Sequence, residues 1–104
     1  MVDFRQLAAA SFAVILTSSA AFASAELARS KNCVACHSVE RKMIGPPYKA
    51  MAERYGKDES AIKLLSEKIV NGGGGNWGQL PMPPQPSVSS EEAEALVNWI
   101  LSHQ

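Results

Sequence analysis

The 104-residue sequence is poor in cysteine and carries no excess of charge of either sign. Its two cysteines, Cys33 and Cys36, lie in one short stretch, which excludes a scaffold built on several disulfides. Ten Lys and Arg balance ten Asp and Glu, so the basic surface typical of a nucleic-acid binder is not expected. The length allows a single domain, and a hydrophobic content of 46% argues against a chain that is disordered throughout.

Residues 1–25 are predicted to be a secretory signal peptide. A weakly basic start with Arg5 is followed by an apolar segment and then by small residues, which allow cleavage after Ala23 or Ala25. An uncleaved membrane anchor is the alternative, but hydroxyl side chains dilute the apolar segment. We therefore expect export to the periplasm as a single domain, residues 26–104.

Residues 26–104 show helical patterns and no convincing strand, so the predicted fold class is all-α. The predicted helices cover 26–34, 48–55, a stretch from a cap at Asp58 or Ser60 to Asn71, and the C-terminal residues after a Ser89–Glu92 capping box. Residues 72–88 hold five of the seven glycines and four of the six prolines, which predicts a long functional loop. One apolar core in so small a domain rarely supplies more than about 3–5 kcal/mol, so a staple or cofactor at the cysteines is expected.

The two cysteines belong to the motif Cys-Val-Ala-Cys-His, which ends at His37 and is typical of covalent haem c attachment. Two thiols one helical turn apart can add to the two vinyl groups of one porphyrin, and the imidazole that follows can bind its iron. A thioredoxin-like redox pair would normally follow a strand. A zinc site would have only the distant His103 as its fourth ligand. A plain structural disulfide is the third alternative, and the motif favours one covalent haem c over all three.

The sixth iron ligand has to come from the opposite face of the ring. The candidates are Met43, Met51, Met82 and His103. Met43 follows His37 too closely to pass around the ring with ease. Met51 falls inside a predicted helix, where a role in the core is more common, and His103 is next to the chain end. Met82 is preferred because the prolines beside it keep the backbone extended. Iron held by His and Met has no open position, which favours one-electron transfer over catalysis.

The motifs together resemble the small bacterial class I cytochromes c of the c-551 type. The resemblance is carried, in order and at matching spacing over essentially all of residues 26–104, by CVACH, MIGPPY from Met43 to Tyr48, Asn71-Gly72, Trp77-Gly78 and the PMPP segment around Met82. It implies an all-α class I cytochrome c fold, with about four helices around one haem c. It implies residue roles as follows: Cys33 and Cys36 as thioether attachments, His37 and Met82 as axial ligands, Pro46 as carbonyl acceptor for the imidazole N–H, and Trp77 as donor to a haem propionate.

Two positions depart from the family pattern. Gln85 stands where the family usually has an asparagine that hydrogen-bonds the ligand sulfur, so the longer amide puts that contact in question. Ala28 stands where relatives often have an aromatic residue against the C-terminal helix. We therefore expect Trp99 to lose a ring partner and the domain to depend more on its haem for stability.

The expected function is periplasmic one-electron transport, without an enzyme activity. The protein would be a monomer, not inserted in the membrane, that docks transiently with redox proteins. It would carry electrons from a membrane quinol-oxidising complex to a terminal reductase or oxidase. Lys31, Lys42 and Lys49 either border the docking face or serve solubility alone. The alternatives are a subunit through which electrons reach a larger haem enzyme, and a haem sensor or enzyme with a labile distal ligand.

Overall fold

The structure, a computed structural model, describes Ser11, Ala13, residues 19–56 and residues 58–104. Most of the predicted signal peptide therefore lies outside the described residues. Within them the structure has four α-helices and no β-strand, which confirms the all-α class. The helices are α1 (Ser19–Ser30), α2 (Tyr48–Tyr55), α3 (Glu59–Asn71) and α4 (Ser90–Leu101), and a short 3-10 turn covers Cys33–Ala35.

The first helix differs from its predicted bounds of 26–34. Helix α1 begins at Ser19 and ends at Ser30, so both cysteines lie beyond it, Cys33 at the start of the separate 3-10 turn and Cys36 directly after that turn. The break lies at Asn32, whose φ of 63° is left-handed, a conformation that asparagine tolerates better than most residues. Both expected cleavage positions fall within α1, and the cleavage itself stays a prediction. None of the helices in the described part of the chain combines the length and the apolar character that crossing a bilayer requires.

Helices α2 and α3 have the predicted bounds because their end signals are local in sequence. Pro47 is the N-cap of α2, where a missing N–H costs nothing. Gly56 ends α2 with a φ of 53° and donates its N–H to the carbonyl of Ala52. Asp58 caps α3 by accepting hydrogen bonds from both the backbone N–H and the hydroxyl of Ser60, so of the two predicted caps the structure selects Asp58.

Helix α4 is the centre of the domain. Its capping box is present as predicted: the Ser89 hydroxyl accepts from the Glu92 N–H, and the Glu92 carboxylate accepts from the Ser89 N–H. The helix ends at Leu101 rather than at the C-terminus. Helices α1, α2 and α3 all pack against it. The core it organises consists of Ala28, Leu65, Ile69, Val88, Ala93, Leu96, Val97 and Leu101.

The predicted loop 72–88 joins α3 to α4 and returns on itself. Gly73 and Met82 form an isolated antiparallel bridge, in which each N–H donates to the other's carbonyl at 3.0 and 2.8 Å. Gly72 makes this close approach possible. A Cβ at Gly72 would lie 2.7 Å from the Met82 carbonyl oxygen, and its φ of 74° also favours glycine. The bridge therefore closes residues 74–81 into a smaller loop at its base.

Candidate functional site

One cleft between the helices and the loop collects the residues that the sequence singled out. It encloses about 1270 Å³ of empty space, part of it open to solvent. Its lining includes Cys33, Cys36, His37, Pro46, Trp77 and Met82. These residues are spread over nearly half the length of the chain, so it is the fold that brings them together.

The 3-10 turn presents the two thiols and the imidazole on one wall of the cleft. The His37 N–H and the Cys36 N–H both donate to the Cys33 carbonyl, at 3.0 and 3.2 Å, which winds the motif into a tight turn. Cys33 and Cys36 are half-buried and form no disulfide with each other. Burial is the main factor that raises the pKa of the Cys33 thiol. The turn therefore offers two thiols and one imidazole to a single group in the cleft.

The His37 ring is oriented by backbone on two sides. Its Nδ1–H donates to the Pro46 carbonyl at 2.8 Å, so Nε2 is left as the nitrogen available to a metal. Gly45 provides the second side, because a Cβ there would lie 2.8 Å from Nδ1 and 2.9 Å from Nε2. The motif containing Gly45 was noted from the sequence, but its role was missed. The glycine directly before two prolines was the available signal.

An aromatic cluster lies behind the imidazole. The Tyr48 ring stacks on His37 at a centroid distance of 5.7 Å and meets Trp99 edge-on at 5.2 Å. Tyr48 is only 2% exposed, and its hydroxyl has no hydrogen-bond partner among the described residues. Burial, with a smaller contribution from the Cys33 charge, raises the pKa of Tyr48 to about 12. Tyr48 therefore supports the imidazole as a neutral, buried ring.

Among the described residues no ring of α1 contacts Trp99, as Ala28 leads one to expect, but rings from elsewhere in the fold do. Trp99 packs edge-on against both Tyr48 and His103, the latter at 4.6 Å. His103 is half-buried and its Nδ1–H donates to the Ile100 carbonyl at 3.1 Å, so this end of the chain is held in place. Because His103 belongs to the cluster behind His37, it lies on the wrong side to bind the opposite face of a ring. Ala28 packs in the core, 1% exposed.

Two of the three candidate methionines line the cleft. Met82 does so from loop 72–88, and Met51 does so from α2, where it is buried. Met43 is 43% exposed and is not part of the lining. Geometry thus reduces the candidate thioether ligands to two, of which Met82 has its backbone fixed on both sides by the bridge to Gly73.

Gln85 is anchored within its own loop. Its backbone N–H donates to the Ile69 carbonyl at 3.0 Å, and its side-chain Nε2 donates to the Pro83 carbonyl at 3.3 Å. The side chain also lines the cleft. The amide nitrogen is therefore directed to the backbone next to Met82, a contact that the departure from the family pattern did not predict.

Trp77 lies at the mouth of the cleft and is 37% exposed, so it is not an ordinary core aromatic. The Arg54 guanidinium lies over the indole at 4.7 Å from its centroid. Arg54 also donates to the Asn76 carbonyl at 2.6 Å. Lys68 is a basic side chain of the lining itself, whereas Arg54 is not part of the lining. Sequence reasoning missed both cations because neither belongs to a motif.

The three lysines considered for a docking face behave differently. Lys31 donates to the Ser87 carbonyl at 2.7 Å and lies 3.6 Å from a Glu92 carboxylate oxygen. It therefore ties the end of α1 to the start of α4, and its main contacts are internal. Lys42 and Lys49 are exposed. Within the described residues, no three His, Cys, Asp or Glu side chains converge as a metal site, so the zinc alternative has no ligand set there.

The helical fold and the thiol–imidazole cleft together define a class I cytochrome c fold. The family model for cytochrome c matches residues 23–104. Cytochrome c-552 of Nitrosomonas europaea is 46% identical over 88 residues, covering 85% of each chain. Cytochrome c-551 of Azotobacter vinelandii is 43% identical over 79 residues, covering 76% of this chain and 95% of its own. The crystal structure of the wild-type Nitrosomonas protein superposes with a TM-score of 0.74 over 77% of this chain and 99% of that one.

The chain belongs to the cytochrome c family, as a small class I c-type cytochrome. Membership implies one covalently attached haem c with its iron, and a protein that transfers electrons rather than an enzyme. The residues present fit that group. The cleft is lined mostly by apolar side chains, its wall carries two free thiols, and the backbone at Gly45 leaves room for an imidazole whose Nε2 is available.

Proposed function

We propose that this protein is a periplasmic one-electron carrier whose iron is held by His37 and Met82. The supporting observation is that both side chains line one cleft and are held there, the His37 ring by its hydrogen bond to the Pro46 carbonyl and the Met82 backbone by its bridge to Gly73. Bound haem c supplies the Fe(III)/Fe(II) couple. Cys33 and Cys36 would hold it by thioether bonds.

The chain's own groups would set the properties of that couple. The hydrogen bond from His37 Nδ1 to Pro46 fixes the ring orientation and strengthens the donor character of Nε2. The Met82 thioether is a soft ligand that favours ferrous iron and raises the reduction potential. With both axial positions filled, no site would remain for substrate. The alternative of a sensor or enzyme requires Met82 to be labile.

The ligand assignment is tested by replacing the two methionines of the cleft separately. Met82→Ala should abolish the sulfur-to-iron charge-transfer band of the oxidised protein, whereas Met51→Leu, a volume-conserving control, should keep it. A band that survives in Met82→Ala and disappears in Met51→Leu would transfer the role to Met51. A wild-type protein without this band would point to the labile-ligand alternative.

The mouth of the cleft has the surface that a transient redox partner needs. Ile44 and Leu80 are 65% and 73% exposed, and both line the cleft. An apolar rim of this kind suits a small, weak interface that forms and dissociates quickly. Electrons would pass there, from a membrane quinol-oxidising complex and to a terminal reductase or oxidase. Leu80→Asp should slow electron exchange with both partners, while Leu64→Asp, at an exposed site outside the cleft lining, should not.

Export to the periplasm is supported by the predicted signal peptide, residues 1–25. The family model matches from residue 23, close to either predicted cleavage position. N-terminal sequencing of the coloured protein from a periplasmic extract should begin at Ser24 or Glu26. Recovery of the coloured protein in the cytoplasm with its N-terminus intact would contradict this assignment.

A further inference from the structure

The loop segment 74–81 has little support from its own backbone. The bridge between Gly73 and Met82 closes it at the base. The structure describes every residue of the segment, and none of their backbone groups forms a hydrogen bond with another backbone group. All eight residues of the segment are exposed. A stretch of this kind opens readily unless side chains from elsewhere hold it.

Arg54 supplies that support from the last turn of α2. Its guanidinium donates to the Asn76 carbonyl at 2.6 Å, and among the described residues this is the one hydrogen bond that reaches a carbonyl of segment 74–81. The same group lies over two rings, 4.7 Å from Trp77 and 5.6 Å from Tyr55. The two rings also meet edge-on at 6.4 Å. One planar cation therefore joins α2 to the backbone and to the aromatic side chain of the loop.

We propose that Arg54 is a positioning residue that holds segment 74–81 over the mouth of the cleft and so restrains Met82. Arg54 and Met82 are coupled directly, because Arg54 anchors the segment whose base is the bridge between Gly73 and Met82. When segment 74–81 opens, the hydrogen bonds between Gly73 and Met82 become exposed to water and break more easily, so that Met82 can leave the cleft. This inference rests on the proposed role of Met82 as a ligand.

Arginine suits this position for a reason that lysine does not share. A planar guanidinium can stack on an aromatic face and donate in its own plane at the same time. A lysine ammonium can make either contact but is poorly shaped to make both. The conservative variant Arg54→Lys therefore separates geometry from charge.

The test is the affinity of the oxidised, haem-containing protein for free imidazole, which competes with Met82 for the iron. Arg54→Ala loses a charge-assisted hydrogen bond and two cation–π contacts at an exposed site, so imidazole should bind about tenfold more tightly. Arg54→Lys should show a smaller increase, about threefold. Arg29→Ala is the matched control, since Arg29 is an exposed arginine paired with Glu26 at 2.8 Å within α1, and its imidazole affinity should equal that of the wild type.

Amide hydrogen exchange at Gly73 and Met82 gives a second readout that a general loss of stability would not reproduce. Both amides should exchange faster in Arg54→Ala, while amides of α4 keep their wild-type rates. Unchanged imidazole affinity in both Arg54 variants, or an equal rise in Arg29→Ala, would overturn the proposal. If Met82 is not the ligand, Met82→Ala and the wild type give the same oxidised spectrum, and the exchange rates still decide whether Arg54 holds the loop.

Discussion

Gly45 and His37 are in such close contact that no side chain fits between them. A Cβ on Gly45 would lie 2.8 Å from Nδ1 and 2.9 Å from Nε2 of the imidazole, well inside the usual distance for non-bonded atoms. The position thus requires glycine because of the ring that lies on it, and the next residue, Pro46, accepts the hydrogen bond from that ring. Adjacent backbone groups therefore set both the place and the tilt of the imidazole.

Replacing Gly45 with alanine should displace the imidazole. Overpacking of this kind typically costs about 1–3 kcal/mol, and we expect a loss of that size in the free energy of unfolding of the haem-containing protein. The His37 ring signals in the NMR spectrum of the reduced protein should also shift. Gly75→Ala is the control, because a Cβ there meets nothing within 4 Å although its φ of 96° is strained. Gly75→Ala should lose some stability but leave the His37 signals in place, and unmoved signals in Gly45→Ala would contradict the account.

Tyr48 should contribute through its ring and not through its hydroxyl. The hydroxyl is buried and has no hydrogen-bond partner in the part of the chain that the structure describes, so Tyr48→Phe should leave the free energy of unfolding unchanged or raise it by up to about 1 kcal/mol. Tyr48→Leu removes the ring contacts with Trp99 and His103 and should lower it by about 2 kcal/mol. Denaturant unfolding of the reduced protein measures both. A clear loss of stability in Tyr48→Phe would show that the hydroxyl bonds to another group.

Lys31 should matter for stability more than for docking. Its hydrogen bond to the Ser87 carbonyl and its proximity to Glu92 are partly exposed to solvent, so Lys31→Met should lower the free energy of unfolding by about 1 kcal/mol. The exposed Lys49 is the control, and Lys49→Met should have no measurable effect on unfolding. Equal effects of the two substitutions would contradict an internal role for Lys31.

Two helix caps should make the protein sensitive to acid. Hydrogen bonds from Ser60 lower the pKa of Asp58, and the hydrogen bond from the Ser89 N–H lowers that of Glu92. Because each folded pKa lies below its unfolded value, the stabilisation is present above about pH 4 and is lost as the pH falls through the folded pKa. Asp58→Asn keeps a cap but cannot titrate, so its melting temperature should fall less between about pH 5 and about pH 2. If the melting temperatures of Asp58→Asn and the wild type fell equally over this pH range, Asp58 would not contribute to the acid sensitivity.

Much of the architecture could be predicted from the sequence, because its signals are local. Pro47 and Gly56 delimit α2, Asp58 begins α3, and Ser89 with Glu92 begins α4. Each of these residues acts on a backbone group only a few positions away. The six predicted site residues could be identified for a related reason, since their motifs are short, although it is the fold that brings them to one cleft.

The contacts that could not be predicted join residues distant in sequence. Arg54 reaches Asn76 across 22 positions. Lys31 reaches Ser87 across 56 positions, and no spacing rule connects such pairs. The contact between Trp99 and Tyr48 was missed for the same reason, because only position 28 on α1 was considered, whereas the fold supplies a ring from α2. Surface cations that bond to backbone carbonyls leave no periodic pattern in the sequence.

The central claim is that a single haem is bonded covalently to Cys33 and Cys36. Intact mass spectrometry of the purified periplasmic protein under denaturing, acidic conditions tests it directly. The account predicts a mass equal to the cleaved polypeptide plus one haem, and the loss of that added mass when both cysteines are replaced by alanine. A colourless protein with the mass of the polypeptide alone would contradict it.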